Sequence, residues 1–308
     1  MTRWLVYQRE RFPVLAHAPL VAAFSGSAVC LSSLLRGHVA VPSLRTLLVA
    51  FATAFLFFLQ LRIADEFKDA DQDARFRPYR PVPRGLVTLD ELDCVAAGAA
   101  ALQFVLAIWM APSIIWLLIL VWGYLALMTQ EFFAGAWLRA RPIAYMASHM
   151  VIVPLIDLYA TACDWRVAGL RWPPPGLAWF LVVSFCNGIV VEIGRKIRAP
   201  EDEEQGVETY TALWGRGTAV GAWLAAIGAT AFCAIQVARQ ISVAAPIGVW
   251  LAVLVGGCVV AGARFVRRPS HESGTAIELV SGGWTLLMYL SLGAAPLAAA
   301  LWRTGSWL

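Results

Sequence analysis

Nine stretches of about 20 residues, each with few charged side chains, recur along this 308-residue chain. A helix of that length crosses the hydrocarbon core of a bilayer. The runs lack the apolar–polar alternation of barrel strands, and lipid-facing backbone must satisfy its own hydrogen bonds. The sequence therefore predicts an all-α polytopic membrane protein. We place the spans at 14–34, 45–64, 91–111, 114–131, 142–162, 176–194, 217–237, 244–263 and 275–301.

Composition supports this interpretation, because 60% of the residues are hydrophobic and only 14% are charged, which excludes a soluble globular domain. The first span lacks a small-residue cleavage site and eight more follow, so we expect it to be retained rather than removed as a signal peptide. The six cysteines lie mostly in apolar spans and form no CxxC pair, which is typical of packing residues. We expect residues 1–308 to form a single membrane domain.

The charged residues are distributed unevenly between the two sides of the predicted bundle. With the N-terminus in the cytoplasm, 18 of the 24 basic residues fall on the cytoplasmic side. The net charge of +4 is thus a topological signal and does not suggest nucleic-acid binding. We expect an integral protein of the bacterial inner membrane. Almost all acidic residues share that cytoplasmic side, concentrated in two loops at 65–90 and 192–216.

The first loop places five carboxylates in the nine residues from Asp65 to Asp73. Asp65, Asp69 and Asp73 are spaced i, i+4, i+8, so they share one face if the second span continues as a helix. Such carboxylates repel one another unless a cation lies between them, and Mg²⁺ is bound by a few carboxylates, waters and substrate phosphate oxygens. The basic residues among them suit a diphosphate. A solvated loop whose acids and bases neutralise one another is the alternative.

Two motifs resemble those of the UbiA superfamily of intramembrane prenyltransferases. Asp65–Asp73, followed by Arg80-Pro81-Val82-Pro83-Arg84-Gly85, has the spacing of N-D-x-x-D-x-x-x-D and R-P-x-P-x-G, with Asp65 for Asn and Glu66 for Asp. A looser match to D-x-x-x-D and G-x-x-T falls on 192–196 and 206–209, with Lys196 where the second carboxylate is expected. Either the acids of 201–204 complete a second metal site, or Lys196 takes over part of one ion's charge.

The resemblance implies a central cavity with two acidic loops that bind Mg²⁺ and a polyprenyl diphosphate. The implied catalytic residues are Asp65, Asp69, Asp73 and Glu192, which with Asp202 also form the implied metal-ligand set. The residues expected to bind the diphosphate are Lys68, Arg80, Arg84, Arg139, Arg195, Lys196 and Arg198. Candidates that face the cavity or an acceptor are Tyr124, Glu131, His149 and Asn187.

His149 and Asp157, eight residues apart on the fifth span, could bind or deprotonate an acceptor, because ionisable groups at membrane depth usually face a cavity or a partner. Hydrogen-bonded helix packing is the alternative for both.

The predicted function is Mg²⁺-dependent transfer of an isoprenyl group from geranyl, farnesyl or geranylgeranyl diphosphate to an aromatic or lipid-like acceptor. The first alternative is a UbiA-type membrane terpene cyclase, in which the carbocation attacks its own chain and needs no acceptor. A more remote alternative is a cation-coupled transporter, which predicts ionisable residues strung across several spans at midplane depth. The carboxylates here gather at one rim instead.

Overall fold

The structure is a computed structural model that describes residues 2–305, and these form α-helices and short 3₁₀ turns without a β-strand. The prediction of an all-α chain is confirmed. In chain order the helices are α1 (Arg3–Arg11), α2 (Val14–Leu35), α3 (Leu44–Lys68), α4 (Ala70–Phe76), α5 (Leu89–Met110), α6 (Ile115–Thr129), α7 (Gly135–Arg139), α8 (Pro142–Met150), α9 (Ile152–Trp165), α10 (Leu177–Arg195), α11 (Tyr210–Trp214), α12 (Arg216–Gln240), α13 (Ala244–Arg267), α14 (His271–Leu292) and α15 (Ala294–Thr304).

Nine helical segments within residues 2–305 are long and apolar enough to cross a membrane, which confirms the predicted number of spans. Two of them are interrupted. The fifth breaks at Val151, between α8 and α9, because Pro154 has no N–H to donate to the carbonyl of Met150. The ninth breaks at Gly293, between α14 and α15, where a side chain would overlap the backbone of Ser27 in α2.

The core of the bundle lies among α2, α3, α9, α10, α12 and α14, which pack against one another. Its largest fully buried side chains include Trp223, Tyr159, Phe57 and Phe180. Helix α13 lies at the periphery and exposes apolar side chains such as Val253 and Val260, as a lipid-facing helix does. Burial of apolar surface therefore defines the interior, and the outer apolar faces are left for lipid.

The two ends of the bundle differ in their use of charge. Helices α3 and α10 finish, and α8 and α14 begin, at one end, which we call the motif end because it carries Asp65 and Glu192. At the opposite end Arg36 binds Asp164 through two nitrogen–oxygen contacts of 2.7 and 2.9 Å, and Ser32 donates to the same carboxylate. This ion pair connects the end of α2 to α9. It lies at the end of the bundle opposite the cavity.

Candidate active site

A cavity of about 560 Å³ opens at the motif end. Its apolar wall comes from α3, α6, α8 and α9 and includes Phe58, Leu61, Met128, Met150 and Val153. Its polar lining consists of Arg62, Asp65, Lys68, Asp69, Gln72, Arg77, Arg80, Tyr145, His149, Glu192, Arg195, Lys196, Arg198, Glu208, Thr209 and Glu278. A chamber of this kind joins a charged mouth to an apolar compartment.

The first acidic motif sits where α3 passes into α4. The turn at Asp69 separates the two helices, but i→i+4 bonding continues across it, with 2.9 Å from Asp69 N to Asp65 O and 2.7 Å from Asp73 N to Asp69 O. The helical spacing predicted for the three acids is therefore nearly maintained. Asp65 and Asp69 line the cavity, whereas Asp73 is buried behind it, 2.5 Å from Arg80 and 3.2 Å from Arg77.

Burial raises the pKa of Asp69, and the neighbouring carboxylates of Asp65 and Asp73 raise it further, while Arg62 and Lys68 partly oppose them. The motif thus concentrates more negative charge than its neighbours neutralise at that residue. Glu66, in contrast, points away from the cavity and is 2.5 Å from Arg11 of α1 and 3.3 Å from Arg62. The second position of the motif therefore anchors the N-terminal helix to α3.

Glu192 faces this motif from the end of α10 and is already paired with two cations. Its Oε2 lies 2.5 Å from a guanidinium nitrogen of Arg195, and its Oε1 lies 2.9 Å from Lys196 Nζ. All three side chains line the cavity. Lys196, which occupies the place of the second carboxylate, therefore carries a positive charge into this half of the site.

The acids of 201–204 bind elsewhere in the protein. Asp202 lies 2.8 Å from His271 Nδ1, and Glu201 accepts from the backbone N–H of the same residue at 2.7 Å. Glu203 accepts from the Thr209 hydroxyl at 2.7 Å, and Glu204 lies 3.6 Å from Arg77. Of the two alternatives for the second motif, the structure places Lys196 and not Asp202 beside Glu192.

The segment after α10 is folded against the first motif. Gly206 adopts a positive φ of 77°, and a Cβ there would come within 2.8 Å of the Phe76 ring of α4. The Gln72 amide donates to the Gly206 carbonyl, and Tyr210 N donates to Lys196 O at 3.0 Å. These contacts fix the two loops relative to each other across the mouth.

Several other predicted residues lie outside the cavity lining. Arg84 pairs with Glu10 at 2.9 Å, and Arg139 pairs with Glu131 at 2.6 Å. The Tyr124 hydroxyl donates to the Ser148 carbonyl, and Asn187 Oδ1 accepts from Trp284. The predicted residues that line the cavity are Asp65, Lys68, Asp69, Arg80, His149, Glu192, Arg195, Lys196 and Arg198. The predicted residues outside the lining are Asp73, Arg84, Tyr124, Glu131, Arg139, Asn187 and Asp202.

Sequence reasoning missed Tyr145, whose hydroxyl accepts a 2.7 Å hydrogen bond from Lys68 inside the cavity. The available signal was its position four residues before His149, which puts both on one face of α8. Arg62, Gln72 and Glu208 were missed as well, because nothing in their spacing separates them from an ordinary helix end or loop.

The chemistry of the cavity fits one Mg²⁺ better than two. Mg²⁺ commonly binds through one or two carboxylates, with waters and substrate phosphate oxygens completing its shell. Asp65 and Asp69 are such a pair, while the oxygens of Glu192 face Arg195 and Lys196. Across residues 2–305 no group of three or more His, Cys, Asp or Glu side chains is arranged around a metal position.

The fold and the site together define a membrane protein of the helical-bundle class in which acids and bases line one cavity beside an apolar wall. The model of the UbiA prenyltransferase family matches residues 26–278, and the chain belongs to that family, whose members are prenyl-transferring enzymes. A search of curated proteins found no match.

Two solved structures share the fold at 15% sequence identity. A UbiA homolog from Aeropyrum pernix K1 superposes with a TM-score of 0.67, covering 93% of this chain and 98% of that one. A structure described as that of digeranylgeranylglyceryl phosphate synthase gives a TM-score of 0.59, covering 94% and 98%. At this identity the likeness concerns the fold, which extends over nearly the whole chain.

Proposed function

We propose that this protein is a Mg²⁺-dependent intramembrane prenyltransferase that moves an isoprenyl group from a polyprenyl diphosphate to an aromatic or lipid-like acceptor. The observation that carries the proposal is one cavity that is lined both by the carboxylates of Asp65 and Asp69 and by the cations of Arg195 and Lys196. An apolar wall continues from this charged mouth. A prenyl diphosphate has the same division into a charged head and an apolar tail.

Asp65 and Asp69 would hold Mg²⁺, which supplies Lewis-acid neutralisation of the leaving diphosphate. Glu192 would act by orienting Arg195 and Lys196, and its own charge keeps the two cations together when no substrate is bound. Lys196 would then do in this protein what a second metal ion does where that position carries an acid. Asp73 would support the site by holding Arg80 at the cavity edge, 2.5 Å away.

The basic side chains would bind the diphosphate oxygens directly. Lys68, Arg80, Arg195, Lys196 and Arg198 all line the cavity, and hydrogen bonds between such cations and phosphate are stronger than neutral ones. When the C1–O bond breaks, its electron pair leaves with the diphosphate, so these cations stabilise charge where it develops. The allylic cation formed would lie against the apolar side chains of Phe58, Met128 and Met150, which offer it no nucleophile.

The remaining parts of the proposal concern acceptor and membrane. The fold neighbour described as a digeranylgeranylglyceryl phosphate synthase supports the inclusion of lipid-like acceptors. We propose that residues 1–308 form one domain in a bacterial inner membrane with the motif end in the cytoplasm, which the excess of basic residues at that end supports. The gathering of the carboxylates at one end argues against a cation-coupled transporter.

The test is an assay of the purified full chain in detergent with geranyl, farnesyl or geranylgeranyl diphosphate, with and without Mg²⁺. We expect Mg²⁺-dependent diphosphate release and a prenylated product once an aromatic or lipid acceptor is added. A cyclic hydrocarbon or alcohol formed without acceptor would instead identify a terpene cyclase. No diphosphate release from any of the three donors would contradict both activities.

A further inference from the structure

Three side chains that line the cavity, from α3 and α8, form a connected group. Lys68 Nζ lies 2.7 Å from the Tyr145 hydroxyl and 3.0 Å from His149 Nε2. The Tyr145 and His149 rings are stacked with centroids 3.9 Å apart and an interplanar angle of 12°. Phe132 packs edge-on against the imidazole at 5.9 Å. The position and plane of the His149 ring are therefore fixed at the cavity surface.

The hydrogen bonds of His149 determine which nitrogen carries the proton. Its Nδ1 lies 2.8 Å from the Tyr145 carbonyl, an acceptor only, so Nδ1 must be the donor. An ammonium group has no acceptor, so the 3.0 Å contact with Lys68 requires a lone pair on Nε2. His149 is thus a neutral imidazole whose basic nitrogen is directed at the cavity and covered by Lys68.

Other basic oxygens in the cavity have competing partners. Glu192 is engaged by Arg195 and Lys196, and Asp65 and Asp69 are the proposed metal ligands. Glu208 and Glu278 also line the cavity, but both are exposed. Among these groups His149 is the one that is buried, neutral and held in a single tautomer.

We propose that His149 is the base that removes the acceptor's proton, and that the acceptor is therefore a molecule that loses a proton when it is prenylated, such as an aromatic ring or a hydroxyl compound. This inference rests on the proposed prenyltransferase function and extends it to the acceptor half of the reaction. His149 would then contact the substrate directly, while Lys68 and Tyr145 position it.

The reaction balances with these groups. The C1–O bond of the donor breaks and its electron pair leaves on the diphosphate. An electron pair of the acceptor forms the new bond to C1, which leaves the acceptor carrying one excess proton. His149 Nε2 takes that proton, the electron pair of the broken C–H or O–H bond stays on the acceptor, and the imidazolium passes the proton to the departing diphosphate.

Lys68 would make proton removal follow donor binding. Its ammonium covers Nε2 in the structure, and the negative charge of an arriving diphosphate competes for the same ammonium. Binding of the donor would draw Lys68 toward the phosphates and uncover the base. His149 would then be free to remove the acceptor's proton only when the donor, from which the allylic cation forms, is bound.

The experiment compares the full-length protein with His149→Gln, using the donor that supports turnover, Mg²⁺ and an aromatic acceptor with hydrogen or deuterium on the ring. Loss of a general base lowers rates by about 100-fold or more. We expect prenylated product to fall by that factor and its formation to become sensitive to deuterium. Prenyl alcohol should rise relative to product, because water captures the cation that the acceptor fails to trap.

Further variants make the assignment specific. His38→Gln, an exposed histidine at the opposite end, should behave like the unaltered protein. Glu208→Gln and Glu278→Gln test the rival carboxylates, and a fall in product with either of them but not with His149→Gln would overturn the inference. His149→Ala with added imidazole provides a second readout: product that increases with imidazole supports the role of a base, and a folded variant that forms product at the unaltered rate without it contradicts that role.

Failure of this inference is distinguishable from failure of the proposed function. If the unaltered protein releases no diphosphate, the prenyltransferase proposal itself is wrong. If it transfers the prenyl group and His149→Gln does so equally fast without a deuterium effect, only the assignment of the base is wrong. A cyclic product formed without acceptor would overturn the acceptor class proposed here.

Discussion

At the residue scale, neighbouring acids of one motif have different surroundings. Asp65 and Asp69 line the cavity, Glu66 is tied to Arg11, and Asp73 is buried against Arg77 and Arg80. Glu66 and Asp73 are thus already engaged in ion pairs. Burial and the neighbouring carboxylates, in contrast, raise the pKa of Asp69. A cation is therefore most needed between Asp65 and Asp69.

The first prediction concerns Asp69→Asn, which removes one proposed metal ligand at nearly constant volume. We expect turnover to fall by about 100-fold or more, as when a group that stabilises developing charge is lost. The measurement is Mg²⁺-dependent diphosphate release by the purified variant. Asp71→Asn is the matched control, because Asp71 is an exposed acid of the same motif that does not line the cavity. Equal activity of the two variants would contradict the metal assignment.

The second prediction separates substrate binding from support at Arg80. Arg80→Ala removes a proposed diphosphate ligand and leaves the buried Asp73 carboxylate with Arg77 alone. We expect both weaker donor binding and a lower thermal stability, because a buried charge that loses a partner is destabilising. Asp73→Asn should lower stability while reducing donor affinity less. Donor binding isotherms and thermal unfolding in detergent measure the two effects, and unchanged donor affinity in Arg80→Ala would refute its ligand role.

At the element scale, the segment between α10 and α11 depends on a single glycine. Gly206 has a positive φ, contacts the Phe76 ring and accepts from Gln72, so it joins the two motif loops. His271 binds Glu201 and Asp202, whereas Glu203 and Glu204 contact Thr209 and Arg77, which line the cavity. The segment thereby forms part of the cavity lining, through Val207, Glu208 and Thr209.

The third prediction is that Gly206→Ala destabilises the segment between α10 and α11. The substitution adds a Cβ against Phe76 at a backbone conformation that L-residues rarely adopt, and such changes cost about 1 kcal/mol or more. We expect faster proteolysis within 196–209 and lower donor affinity. The control is Gly228→Ala in α12, where a Cβ would contact nothing within 4 Å. Identical protease sensitivity of the two variants would contradict this role of Gly206.

The fourth prediction concerns the joint between α9, α10 and α14. Tyr289 donates to Asp157 at 2.8 Å and lies 3.1 Å from Ser184 Oγ, all within the buried interior. Tyr289→Phe leaves the carboxyl group without that donor, which should lower the free energy of unfolding by about 1–3 kcal/mol. The double variant with Asp157→Leu should recover part of this loss, since both polar partners are then gone. Thermal unfolding of the single and double variants measures the coupling, and purely additive effects would argue against it.

At the scale of the whole molecule, charge is segregated by end. The motif end holds the cavity, both acidic loops and most basic residues. At the opposite end, the Arg36–Asp164 ion pair connects α2 to α9. Apolar α13 side chains cover the periphery. The proposed substrate, with its charged head and apolar tail, would therefore bind in one orientation only.

The fifth prediction concerns the side of the membrane on which the motif end lies. Basic residues are retained in the cytoplasm, so an impermeant maleimide should label His38→Cys in intact cells and Arg268→Cys only after lysis. The unaltered chain, with its six native cysteines, is measured in parallel to subtract background. The reverse labelling pattern would invert the proposed topology.

The sequence by itself determined the all-α fold, the number of spans and the family, because these follow from the length of apolar runs and from motif spacing, which are local properties. It also located Asp65, Asp69, Glu192 and His149 as site candidates. Asp73 and Asp202 were predicted as metal ligands but are bound by Arg77 and Arg80 and by His271, respectively. Motif spacing can place an acid on one face of a helix, but it does not show which side chains pack against that face.

Only the tertiary structure decided which charges meet across the cavity. It turned the acids of 201–204 toward His271 and the loop threonines, and it brought Lys68 of α3 against Tyr145 and His149 of α8. These pairs are separated by up to 81 positions in the chain, or belong to a loop whose path is set by packing. Ionic and hydrogen-bond energies fall steeply with distance, so the roles of these residues depended on how the helices pack.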